Sequence, residues 1–180
     1  MKKLMIILIF VGSAFLLSAC GNEEEEFTVL FFTEELNEKI DEEEIEKQIL
    51  EQMPEIDEEN FSLVFHVSML EKLFMEIAAH QGDLLIVDEH LLDAAANPDG
   101  IHQLDDIAPI SIKGSMEEPY LQKNPETGEE ELYVLPINND TTVIQELGLE
   151  LEHQVGGFIP VYADNEELSK KVLEFLVKQD

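Results

Sequence analysis

The chain has 180 residues with 41 acidic side chains against ten Lys, no Arg and no Trp, for a formal charge of −31. Such a surface repels nucleic acid and anionic head groups, and without Arg the two-pronged grip on phosphate or carboxylate is missing, so anionic ligands are disfavoured. Cys20 is the single cysteine, which excludes an internal disulfide and a cysteine metal cluster; a hydrophobic content of 44% still suffices for one packed domain.

Residues 1–19 have the three parts of a secretory signal: Lys2 and Lys3, an apolar run over residues 5–17, then the small pair Ser18-Ala19. The run is about 13 residues, too short to cross a hydrocarbon core as a helix. Losing it removes Lys2 and Lys3, leaving eight Lys against the 41 acids, a net of −33. Residues 20–26, with Glu23 to Glu26 in a row, read as an acidic tether, and residues 27–180 as one domain.

Phe27-Thr-Val-Leu-Phe-Phe-Thr33 reads as a strand buried on both faces. Asp41 with Glu44 makes a helix start; Ile45, Ile49 and Met53 share one face, and Pro54 ends that helix. Phe61-Ser-Leu-Val-Phe-His-Val67 is a second strand. Ser68 and Glu71 have capping-box spacing ahead of a stripe of Met69, Leu70, Leu73, Phe74, Ile77 and Ala78, with Gly82 as its stop. Asp83-Leu-Leu-Ile-Val87 is a third strand. This β-α-β-α-β order, with helices of about 11 to 14 residues, implies right-handed crossovers and a parallel sheet.

Residues 88–96 predict a short helix ended by Asn97-Pro98-Asp99-Gly100, and 101–112 a loop with a brief extended piece. Residues 120–123 and 129–135 flank Asn124-Pro-Glu-Thr-Gly128 and read as a β-hairpin. Asp140 or Thr141 caps a helix to Leu147, with Gly148 past its end. Residues 157–162 are a last strand, which Pro160 places at an edge or a bulge. Asn165 caps a final helix whose Leu168, Val172, Phe175 and Leu176 face the core. The expected fold is α/β: a single three-layer lobe with a mostly parallel sheet of about five strands, plus a hairpin.

Leu17-Ser18-Ala19-Cys20 followed by Gly21 resembles the lipobox of bacterial lipoproteins. The resemblance implies that the Cys20 sulfur carries diacylglycerol, that the signal is cut before it, and that the protein is lipid-anchored on the extracytoplasmic face of the cell membrane. One acyl chain holds a protein only marginally and two hold it firmly, at about 0.8 kcal/mol per buried methylene.

Three further features resemble the extracellular solute-binding proteins of ABC transporters. They are the tethered strand-helix-strand opening; Gly82-Asp-Leu-Leu-Ile-Val-Asp88 followed by Ile101-His-Gln-Leu-Asp-Asp-Ile107 and Glu131-Leu-Tyr-Val-Leu-Pro136; and Gly157-Phe-Ile-Pro-Val-Tyr-Ala-Asp-Asn165 with the helix after it. Members of that family have two lobes, but residues 135–157 here have room for one helix only, so the resemblance implies a single periplasmic-binding-protein-like lobe. Its implied partners are a transporter permease or a sensor, and a homodimer could rebuild a two-walled cleft.

A ligand of such a lobe sits beyond the carboxyl ends of the parallel strands. The candidates are Thr33, Glu34, Ser68, Asp88, Asn138 and Asn139. Each has a structural alternative: Ser68 and Asp88 as helix caps, residues 138–140 as a turn. No H-E-x-x-H, G-x-S-x-G, P-loop or dinucleotide glycine pattern is present, and Asp88-Glu89-His90 reads as a helix start. The expectation is a non-catalytic binding domain without metal or cofactor, with a tethered protein-interaction domain as the alternative. The acids, spread out and lacking a D-x-D-x-D-G loop, read as a solvated coat rather than a cation trap.

Overall fold

A computed structural model describes residues 26–34, 42–108, 116–146, 151 and 153–178. Asp41, Leu147, Gly148, the signal and Cys20 lie outside these. The elements are β1 (Phe27–Phe32), α1 (Glu42–Gln52), β2 (Phe61–His66), α2 (Leu70–Ala78), β3 (Leu84–Asp88), α3 (Glu89–Ala95), β4 (Leu121–Lys123), β5 (Glu130–Leu132), β6 (Leu135–Ile137), α4 (Thr142–Glu146), β7 (Val155–Phe158) and α5 (Glu166–Val177). A 3-10 turn, Glu58–Asn60, leads into β2.

The main sheet has the order β2-β1-β3-β7-β6. β1 pairs in parallel with β2 and β3, while β7 runs antiparallel to both β3 and β6. Four of its five strands therefore point one way. β4 and β5 form a separate antiparallel hairpin.

The solid apolar runs explain the layering. Side chains of a strand alternate between faces. Val29, Leu84 and Ile86 enter one core with Ile45 and Ile49 of α1 and Val172, Leu173 and Leu176 of α5. Leu30, Phe32, Leu85 and Val87 enter the opposite core with Leu73 of α2 and Leu91 and Leu92 of α3. The mixed α/β architecture is thus helices, sheet, helices. β3 is buried along its whole length, as a strand covered on both faces requires.

Several expectations are corrected. The last strand is β7, which starts at Val155 and lies inside the sheet rather than at its edge; Pro160 falls beyond it, bridged to Ile101. The hairpin strands are three residues each, and Leu135–Ile137 forms an edge strand of the main sheet, with Pro136 where a missing N–H is tolerated. Helices α1 and α2 are 11 and 9 residues long.

Helix α2 starts at Leu70 with Met69 at the cap position and no side-chain cap bond, so Ser68 and Glu71 form no capping box. Met69 and Phe74 of the expected core stripe are exposed. Gly82 is not the stop. The helix closes at Ala78, where Gln81 N donates to Glu76 O and His80 N to Ile77 O, with His80 left-handed at φ 55°. That is a Schellman closure with His where Gly is usual. The His80 ring stacks on Tyr162 at 4.7 Å, which helps hold the turn. Asn165 stands at the cap position of α5 without a side-chain cap bond.

Candidate functional site

In an open α/β sheet the crevice forms where adjacent parallel strands send their following helices to opposite faces. Here those strands are β1 and β3. The chain after β1 leads to α1 in one core, and the chain after β3 leads to α3 in the other. The crevice therefore opens between the carboxyl ends of Phe32 and Asp88.

A backbone-to-carboxylate bond spans it: Glu34 N donates to Asp88 Oδ2 at 2.8 Å. Beside it, Thr33 is buried and its N donates to His66 O at 3.1 Å, tying β1 to the end of β2. Asp88 is 1% exposed and Ser68 8%. Asp88 Oδ1 and Ser68 Oγ have no hydrogen-bond partner among the described residues. A buried polar atom without a partner costs about 1–3 kcal/mol; Thr142 Oγ1, after β6, is a third such atom among the described residues. Neither residue caps its helix: Asp88 holds the cap position of α3 without a cap bond, because its Oδ2 is turned to Glu34.

Four of the six ligand-binding candidates, Thr33, Glu34, Ser68 and Asp88, thus end on the three neighbouring strands β2, β1 and β3. Asn138 and Asn139 do not join them. They follow β6, which β7 separates from β3. Asn138 Oδ1 accepts from Asp140 N, and Asn139 grips Leu151 through both ends of its amide, donating to Leu151 O and accepting from Leu151 N at 2.7 Å each. Those amides hold a turn.

The structure adds three residues. Glu89 N donates to Gln154 O, Gln154 Nε2 donates to Tyr120 Oη at 2.7 Å, and the Tyr120 hydroxyl donates to Glu89 Oε1 at 3.4 Å. Burial pushes the Tyr120 hydroxyl up to about 12 against the opposing bond from Gln154, with Glu89 adding to the rise. Tyr120 is therefore a neutral donor at pH 7. It lies 31 and 34 positions from its partners, so no local pattern announces the cluster.

Exposed apolar side chains, Val67 at 59% and Met69 at 52%, flank Ser68. A separate open groove of about 520 Å³ runs along the outer side of α1, lined by Glu43, Glu46, Lys47, Leu50, Glu51 and Glu58; it is not part of the crevice. Among the described residues no group of three or more His, Cys, Asp or Glu is placed to hold a metal ion, and no helix is long and apolar enough to cross a membrane.

The chain is similar to a Bacillus subtilis (strain 168) protein named "Putative lipoprotein YteS", with 25% identity over 178 residues, 98% of each chain. No protein family and no solved structure matches.

Proposed function

We propose that this chain is a bacterial lipoprotein, anchored through Cys20 on the outer face of the cell membrane, whose one α/β lobe is a non-catalytic solute-binding unit of a transport or sensing system. The observation that carries the anchor is a coincidence. A chain with Leu17-Ser18-Ala19-Cys20 at its start is similar, nearly end to end, to a protein named "Putative lipoprotein YteS". The ligand reading is supported by Asp88 Oδ1 and Ser68 Oγ, two buried atoms with no partner among the described residues, beyond the strand ends where such a ligand sits. A permease or a sensor is the partner this reading implies.

The exposed Val67 and Met69 beside Ser68 favour a second reading, a tethered domain that binds a protein at the same edge. Two measurements decide. Cys20→Ala should move the protein from the membrane to the soluble fraction; continued membrane attachment overturns the anchor. Native mass spectrometry of the purified chain should show a small-molecule adduct that Asp88→Ala loses while circular dichroism is unchanged. No adduct, or one indifferent to Asp88→Ala, removes the solute and leaves the interaction domain.

A further inference from the structure

Parallel pairing gives the lobe two distinct ends. β1, β2 and β3 all begin at one of them, with Phe27, Phe61 and Leu84, and exposed Glu26, Asp57, Glu58 and Glu59 stand beside those starts. The crevice is at the other end, where Glu34 N meets Asp88 Oδ2. The six residues of β1 run from one end to the other. A strand rises about 3.3 Å per residue, so the ends lie about 20 Å apart.

The chain enters the lobe at the end away from the crevice. Cys20 stands seven Cα–Cα steps before Phe27, which is buried and paired with Phe61. Seven steps reach about 24 Å when fully drawn out, and a coil of that length spans about 15 Å. An acylated Cys20 therefore keeps Phe27 within about 24 Å of the head groups. To turn the crevice onto the membrane, those steps must pass over the rim of the lobe and then descend the length of β1. The descent alone takes about 20 Å, and clearing β2, the strand outside β1, adds about 5 Å to its axis and as much again to its outer surface. The way over either face is longer, because a packed helix covers each. The tether is too short for any of these paths.

We infer that this short link keeps the amino ends of β1, β2 and β3 toward the bilayer and presents the crevice to the medium. Such an orientation rests on the lipid anchor of the proposed function and narrows the partner named there. The crevice takes a soluble ligand arriving from outside. It cannot pass that ligand directly to a permease lying in the same membrane, because it faces the other way. A membrane partner meets the lobe at its amino-end face, where Asp57, Glu58 and Glu59 are exposed. Ligand and membrane partner then occupy opposite ends of one sheet, the layout of a sensor rather than of a delivery shuttle.

The test is energy transfer on the full chain, purified from bacterial cells and placed in phosphatidylcholine vesicles that carry an acceptor dye on the head groups. With the Cys20 sulfur acylated, an introduced Cys is the one free thiol for the donor dye. Glu58→Cys marks the amino-end face and His90→Cys the crevice end, both at exposed positions. Transfer from Glu58→Cys should be at least twofold more efficient than from His90→Cys. Inserting about twenty Gly and Ser residues after Gly21 lets the lobe turn over and should bring the two labels level. Equal transfer with the native tether, stronger transfer from His90→Cys, or a difference that the long tether leaves intact overturns the orientation. A chain that does not bind the vesicles at all removes the anchor itself, and the orientation with it.

Discussion

Two aspartates bracket β3, and their surroundings differ. Asp83 at the amino end accepts from Thr28 N through Oδ2 and from Asp164 and Asn165 N through Oδ1. Burial still holds its carboxyl above the usual range, against those three backbone bonds. Asp88 at the other end has one oxygen bonded and one, buried, without a partner among the described residues. On the same strand, one carboxyl is a finished joint and the other keeps an unfilled acceptor, which is why the candidate site lies at the carboxyl end. His66 ends β2, with β1 between it and β3, and lies against Phe32 of β1, with ring centroids 5.0 Å apart. Burial lowers its proton affinity first, Lys72 lowers it further, and Glu76 opposes both. The unfolded chain titrates near 6.5, so on acidification the unfolded state takes up this proton first. Stability is therefore lost as pH falls from about 6.5 through the folded value, and is level below that. Relative to His66→Gln, the parent chain should lose melting temperature between pH 7.5 and 5.5, whatever the other groups add to both. An equal drop in the variant would assign the pH dependence elsewhere.

At the scale of elements, β7 sets how closely the layers approach. A Cβ on Gly156 would lie 2.6 Å from both Leu92 Cδ1 and Val134 Cγ1; one on Gly157 would lie 2.4 Å from Leu173 Cδ1 and 3.1 Å from Ile86 Cδ1. Helix α3 thus presses on Gly156 and helix α5 on Gly157, from opposite faces of β7. Gly156→Ala should cost about 1–3 kcal/mol in denaturant melts, the usual penalty for overpacking. It should cost more than Gly157→Ala, because β-branched Val134 has less freedom to turn aside than the ends of Leu173 and Ile86. The reverse order would mean that the Val134 side moves more easily than its branching implies. The same glycines explain what the sequence concealed. β1, β2 and β3 announce themselves as continuous apolar runs, and α1 and α5 by their spacing. Val155-Gly-Gly-Phe158 carries too few side chains to read as an interior strand, and Leu135-Pro-Ile137 is too short to separate from the hairpin before it. The crevice was legible in part, because the ends of parallel strands follow from β-α-β order. Its Tyr120–Glu89–Gln154 neighbours were not, since their contacts bridge distant segments. Asn138 and Asn139 looked equivalent to Asp88 only while β6 and its place in the sheet were unseen.

For the whole molecule, charge is the dominant long-range term. Lys47, Lys72, Lys170 and Lys171 each pair with at least one carboxylate. Lys170 is the most enclosed, bonding Asp106 Oδ2 and Glu166 Oε1 at 2.9 Å each and pinning the loop after Ile101 to α5. Burial pulls the Lys170 ammonium down, but those two carboxylates more than offset it and its proton is held above the usual value. Exposed pairs contribute about 0–1 kcal/mol each, and 41 acids against ten Lys leave most carboxylates facing others of their sign. Added salt weakens both the pairs and the repulsion; with this imbalance, relief of repulsion should prevail. The melting temperature should therefore rise with ionic strength, by about 2–4 °C for each kcal/mol relieved in a chain of this size. The identity of the cation separates a general acidic coat from a cation-binding role. Screening depends on ionic strength, so sodium chloride and choline chloride should act alike, and micromolar calcium should add nothing. A melting point that ignores both salts would mean that the chain carries little self-repulsion. One that responds to micromolar calcium alone would turn the acidity from a solvated surface into a binding site.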